Sequence, residues 1–149
     1  MKIVVDSNIV FSAILNTQSK IGQLLINGAK FFQFYSVGLL KEEIFVHKDK
    51  ILKISGYNEW QFNEIFQIII SKINFIDDIL LSDEELLKAE KLVNSIDDGD
   101  LLFVALNNLL NSFLWTGDKK LINGLRNKGY FSTISTEELY SLYLDEESN

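Results

Sequence analysis

The chain has 149 residues, 47% hydrophobic and 23% charged, which is a globular rather than a disordered composition. Its net charge of −7 argues against a general basic footprint for nucleic acid, and the absence of cysteine excludes disulfides, thiolate zinc sites and cysteine nucleophiles. The length suits one domain, residues 1–149, burying roughly 70% of its unfolded surface around one core.

Lys2 to Val5, KIVV, is a short apolar run rich in β-branched residues, the signal for a buried parallel strand, and it ends at Asp6. SNIVFSAIL follows as a helix start capped by Ser7 or Asn8. The opening MKIVVDSNIVFSAIL superficially resembles a signal peptide, but Asp6, Ser7 and Asn8 interrupt the apolar run. No stretch reaches the ~18 apolar residues of a membrane span. A cytoplasmic chain with no membrane partner is expected.

A second helix is predicted from Ile21 to Asn27, stopped by Gly28, and a second strand from Phe32 to Ser36. Leu39, Leu40, Ile44 and His47 recur at helical spacing and predict a helix over Leu39 to Lys48, with Glu42 and Glu43 in its middle. Glu43 borders the apolar stripe; Glu42 is less committed. Between Glu59 and Ile73 a regular stripe of Phe62, Ile65, Phe66, Ile69, Ile70 and Ile73 predicts an amphipathic helix, its stripe either core or a contact between two copies of the chain. A short strand is expected at Asn74 to Ile76. Ser82 with Glu85 and Ser135 with Glu138 have capping-box spacing, marking helices over Asp83 to Asn94 and Thr136 to Leu144.

Leu101 to Leu110 is apolar on nearly every face and predicts a helix inside the protein, opened by Asp97, Asp98 and Asp100. Phe113 to Trp115 reads as a strand, Lys119 to Arg126 as a helix capped by Asp118, and a last strand is expected between Gly129 and Thr133. The tail, DEESN (residues 145–149), reads as a frayed acidic end.

This alternation of short strands and helices without hairpin signals predicts an α/β fold: a three-layer α/β/α sandwich on a mostly parallel, short-stranded sheet. Ligands of such sheets collect beyond the carboxyl ends of the strands. Asp6 and Asp118 would stand at that edge, and Asp100, opening the buried helix, would point there too. Taken singly, Asp97 with Asp100 three residues on fits a variant capping box and Asp118 a helix cap, the commoner job for Asp at a helix start, and a glutamate pair on a helix fits a solvated face. Carboxylates gathered at one cleft repel unless a cation sits among them, and oxygen ligands alone suit Mg²⁺ or Mn²⁺. No GxGxxG or GxxxxGK[ST] is present, and the lone histidine, His47, supports neither a two-histidine cleavage of RNA nor a serine triad.

VVDSNIVFSAIL, LLKEEIFVHKDKI, IDDGDLLFVAL and FLWTGDKKL together resemble the PIN-domain family over nearly the whole chain. The D-S-N after the first strand implies that Asp6 is a metal ligand and Asn8 a supporting polar group. The family's helical glutamate matches Glu43, with Glu42 as the fallback. Its D-x-x-D-L run matches Asp97 and Asp100, the latter as central ligand, and its W-T/S-x-D-K element matches Thr116 and Asp118. Leu102 and Gly99 depart from the pattern without removing a carboxylate. The resemblance implies a FEN-like nuclease that hydrolyses RNA phosphodiesters with one or two Mg²⁺ or Mn²⁺ ions, leaving a 5′-phosphate and a 3′-hydroxyl. Asp6, Glu43 and Asp100 would hold the first ion, and Asp118 a second ion or the attacking water, with Asn8, Thr116 and Asp97 in support. Many such proteins are toxins of toxin–antitoxin pairs, so an antitoxin protein is an implied partner, and a homodimer another. Lys48, Lys50, Lys53, Lys119, Lys120, Arg126 and Lys128 stand near these positions as candidate grips on RNA or as a solvated face. The competing readings are a catalytically silent scaffold that binds RNA or protein, and a phosphatase of the haloacid-dehalogenase kind. The latter wants a second Asp where Asn8 stands.

Overall fold

A computed structural model describes residues 1–93 and 100–149. Its centre is a five-stranded sheet in the order β3-β2-β1-β4-β5, formed by β1 (Lys2–Val5), β2 (Gln33–Val37), β3 (Ile73–Ile76), β4 (Phe113–Trp115) and β5 (Thr133–Ile134). Every pairing is parallel, with Val4 opposite both Tyr35 and Leu114. Successive side chains of a strand point to opposite faces. Ile3, Val5, Phe34 and Trp115 therefore enter one core cluster, and Val4, Val37 and Leu114 the other.

The first face is covered by α1 (Ser7–Leu15), α2 (Lys20–Asn27), α3 (Leu39–Val46), α4 (Lys48–Ser55), α5 (Glu59–Ser71) and α9 (Thr136–Glu147). The second is covered by α6 (Asp83–Val93), α7 (Leu101–Leu110) and α8 (Lys119–Asn127). This is the expected three-layer sandwich. The innermost helix is α7, buried over Phe103 to Asn107. Asn111 ends it in the left-handed conformation (φ 50°) and turns the chain into β4. No helix among the described residues is long and apolar enough to cross a membrane.

Several expectations are corrected. The cap of α1 is Asp6, not Ser7 or Asn8: β1 runs straight into the helix, and the junction residue, still extended, accepts Ile9 N–H on Oδ1 at 3.0 Å. The single helix expected over Leu39 to Lys48 breaks at His47 (φ −98°, ψ 14°), and α4 follows it. Only Ile51 of α4 is buried, too little for a periodic signal. The stripe of α5 is core at Phe62, Phe66 and Ile69, which are buried, while Ile65 and Ile70 pack against the same cluster and stay partly exposed. The last strand begins only at Thr133, because Gly129 (φ 81°) turns the chain and Tyr130 N–H bonds back to Leu125. Asn94, the expected end of α6, lies outside the described residues.

The tail is also ordered further than expected. Its Asp145, Glu146 and Glu147 belong to α9, and Glu147 is held by Lys30 at 2.8 Å and by the Tyr143 hydroxyl at 2.8 Å. These bonds, the one from Lys30 first, hold the Glu147 carboxyl below its ordinary value of 4.5. A depressed carboxyl stabilises the fold above its unfolded pKa, and that contribution is lost as pH falls through the lower folded value. Glu147→Gln should therefore melt below the parent at neutral pH, with the two converging below pH 4.5; melting curves across pH 3–7 measure it.

Candidate active site

In an all-parallel sheet the carboxyl ends of β1, β2 and β4 share one edge. Asp6 ends β1. Gly38 carries β2 into α3, with Glu43 in its second turn, and Thr116-Gly117-Asp118 leads out of β4. Because α7 runs back against β4, Asp100 at its start lies at the same edge. The order of elements thus brings the segments that carry these four acids to one side of the sheet, and of the carboxylates themselves Asp6 and Asp118 are close enough to act on each other.

Within that edge a tight unit forms. Asp6 is 2% exposed, and its N–H donates to the Trp115 carbonyl. Ser36, fully buried in β2, donates its hydroxyl to the Val5 carbonyl at 2.8 Å and fixes the end of β1 from the other side. The Thr116 hydroxyl donates to the Asp6 carboxylate and accepts Asp118 N–H at 3.1 Å. Burial pushes the Asp6 carboxyl up from 3.8. Hydrogen bonds from Thr116 and the Ile9 N–H oppose the rise, and the negative charge of Asp118 adds to it. Asp6 is therefore a carboxylate whose charge the protein only partly compensates.

Capping and chemistry do not exclude each other here. Asp118 caps α8, but Lys120 N–H (3.0 Å) and Leu121 N–H (3.2 Å) both bond its Oδ1, which leaves Oδ2 out of the cap. Asp100 occupies the cap position of α7 yet makes no side-chain capping bond, and its Oδ2 is buried. Asp97 lies outside the described residues, and with it the alternative of a capping box between Asp97 and Asp100.

The two glutamates separate. Glu43 is half-buried, and burial raises its carboxyl above 4.5 while His47, one turn on, pulls it down. Glu42 is exposed and lines a shallow groove with Phe75, Asp77 and Asp78, toward β3 and away from β1. Asn8 is exposed and borders an apolar groove of about 370 Å³ with Phe11, His47 and Lys50, and the His47 ring meets the edge of Phe11 at 5.8 Å. Among the lysines, Lys48 pairs with Glu59 at 3.5 Å and Lys128 donates to the Lys91 carbonyl, whereas Lys119 and Arg126 line a groove beside Asp118. Ser36 and Gln61, the latter closing a capping box with Asn58, are positioning residues that only the fold brings out. A serine inside an apolar strand was the available signal for the first, and the N-x-x-Q spacing for the second.

Among the described residues, no three Asp, Glu or His side chains are grouped so that they could hold a metal ion. The donor chemistry nevertheless fits a hard divalent cation. The set is all carboxylate oxygen, and the buried Asp6 charge, opposed by its own burial and by Asp118, is the kind a cation neutralises.

In comparison with known proteins, no curated protein matches the chain. Among solved structures, it is similar to a chain in the crystal structure of VapBC2 from Rickettsia felis bound to a DNA fragment from their promoter. That match has 19% identity and a TM-score of 0.62, covering 91% of this chain and 97% of the other. The likeness is one of fold, with the same layering around a parallel sheet. The family model of the PIN domain matches residues 4–141, which takes in Asp6, Glu43, Asp100, Thr116 and Asp118, and the chain belongs to the PIN domain family.

Proposed function

We propose that this chain is a Mg²⁺- or Mn²⁺-dependent endoribonuclease, the toxin of a cytoplasmic toxin–antitoxin pair. The observation that carries the proposal is the Asp6–Thr116–Asp118 unit: a buried, incompletely compensated carboxylate joined through one hydroxyl to a second acid at the ligand-binding edge of the sheet. Membership of the PIN domain family supports the nuclease reading over the phosphatase one, and the likeness to a VapBC2 chain supports an antitoxin as partner.

In this reading Asp6, Glu43 and Asp100 hold the first cation. A bound divalent ion supplies charge neutralisation at the phosphate and a more acidic water. The protein's share is positioning. Thr116 keeps Asp6 oriented and holds the Asp118 backbone beside it. The rigid end of β1, tied by Ser36 and the Trp115 carbonyl, keeps the buried carboxylate from retreating. Asp118, with Oδ1 committed to its helix, offers its second oxygen to orient the attacking water or a second cation. Asn8 and Asp97 are supporting residues in this scheme.

Purified protein should cleave single-stranded RNA with Mg²⁺ or Mn²⁺, and the cleavage should stop with EDTA and return when metal is restored. Asp100→Asn should lower the rate by about 10²-fold or more with an unchanged circular dichroism spectrum. Cleavage that persists in EDTA, or at the parent rate in Asp100→Asn, sinks the proposal. Tight antitoxin binding with no metal-dependent cleavage of any RNA would make the chain a silent scaffold instead.

A further inference from the structure

α8 starts at Asp118 and buries Leu121 and Leu125, which fixes its rotation about its own axis. Lys119, Ile122, Asn123 and Arg126, at helical spacing on the other side, then line a groove of about 290 Å³ shared with Ser135 and Glu138 at the start of α9. Lys20, Lys30, Lys48 and Lys88 each pair with a carboxylate. Among the described residues Lys119 and Arg126 have no carboxylate within ion-pair distance. Glu138, the one acid on the groove, is engaged, its Oε1 accepting Ser135 N–H at 3.1 Å. On a chain of net charge −7, two cations with no ion-pair partner among the described residues, against one carboxylate in the same groove, stand on a helix face that begins at the candidate site's edge.

Resting on the nuclease reading, we infer that this face of α8 is the track along which single-stranded RNA leaves the site, with separate backbone phosphates on Lys119 and Arg126. Seven residues at the helical rise set the two cations about 10 Å apart along the axis, so they meet different phosphates of one strand. The Asn123 amide between them and the Ser135 hydroxyl across the groove add neutral donors. Continuity with Asp118 favours RNA over an acidic partner protein: a strand positioned for cleavage at the carboxylates must continue past them, and α8 offers the adjoining positive surface.

The test is binding of a fluorescent, short, random-sequence single-stranded RNA, followed by anisotropy across a KCl series in EDTA, where nothing is cut. Each phosphate contact contributes about 0.7 to the slope of log K against log salt for a single strand. The double variant Lys119→Ala/Arg126→Ala should lose about 1.4 from that slope and bind more weakly at low salt. Lys119→Arg/Arg126→Lys, which keeps both charges, and Lys88→Ala, at the opposite end of the sheet, should keep the parental slope. If the double alanine variant keeps it, the track is overturned while the nuclease reading stands. If the parent neither binds this RNA nor cuts it with Mg²⁺ or Mn²⁺, both fall. If polyglutamate competes for these residues while the RNA slope is unmoved, the face belongs to an acidic partner and the track is likewise overturned.

Discussion

Asp6→Asn is expected to abolish metal-dependent RNA cleavage and, in EDTA, to raise the melting temperature. The two effects have one cause. Asparagine keeps an acceptor for Ile9 N–H and is as good an N-cap as aspartate, so the start of α1 is preserved. What disappears is a charge that is 2% exposed and disfavoured by burial and by Asp118. If Asp6 holds the cation as proposed, its loss removes several kcal/mol of transition-state stabilisation, a fall in rate of about 10³-fold. Relief of the buried charge should add about 1 kcal/mol to stability, or ~3 °C for a chain of this size. Added Mg²⁺ should raise the melting temperature of the parent more than that of the variant. A variant that melts below the parent in EDTA would show that the Asp6 charge is fully compensated inside the protein, and one that cuts at the parent rate would remove Asp6 from the chemistry.

The second large effect is on the frame that holds the site. Trp115 is fully buried, lies against Phe34 with ring centres 5.8 Å apart, and donates its indole N–H to the Thr136 hydroxyl at 3.0 Å. It joins β4 to β2 and to the start of α9 immediately before Thr116. Trp115→Ala should cost about 3–5 kcal/mol, the lost transfer energy of the indole plus the cavity left behind, with a hydroxyl deprived of its donor. Against a total stability of roughly 5–15 kcal/mol this is a large fraction. Urea titration gives the number, and cleavage should fail in parallel as Thr116 and Asp118 lose their support. A loss below about 1 kcal/mol would mean that the sheet can close over the vacated space, and that Thr116 is held from elsewhere.

Elements with a strong local pattern were legible before any coordinates. The run of β4 is legible to the residue, and α7 and α5 are legible because an apolar helix or stripe has few other places to go. The Ser135–Glu138 capping box was found for a similar reason, since its spacing is itself the mechanism. Misreadings fell where a weak local signal was overruled by distant partners. The break at His47 and the existence of α4 depend on Ile51 finding the core, and the ordered end of α9 depends on Lys30, more than a hundred residues away.

The site divides in the same manner. Sequence by itself determined which residues carry acid groups, that they open or close strands and helices, and that oxygen-only donors suit a hard cation, because these follow from residue type and spacing along the chain. Only the tertiary structure decided that Thr116 links Asp6 to Asp118, that Glu43 rather than Glu42 is half-buried, that Asp100 makes no side-chain cap to α7, and that among the described residues Lys48 has an ion-pair partner while Lys119 and Arg126 have none. Burial, desolvation and pairing are properties of what surrounds a group in space, and neighbours along the chain do not specify them.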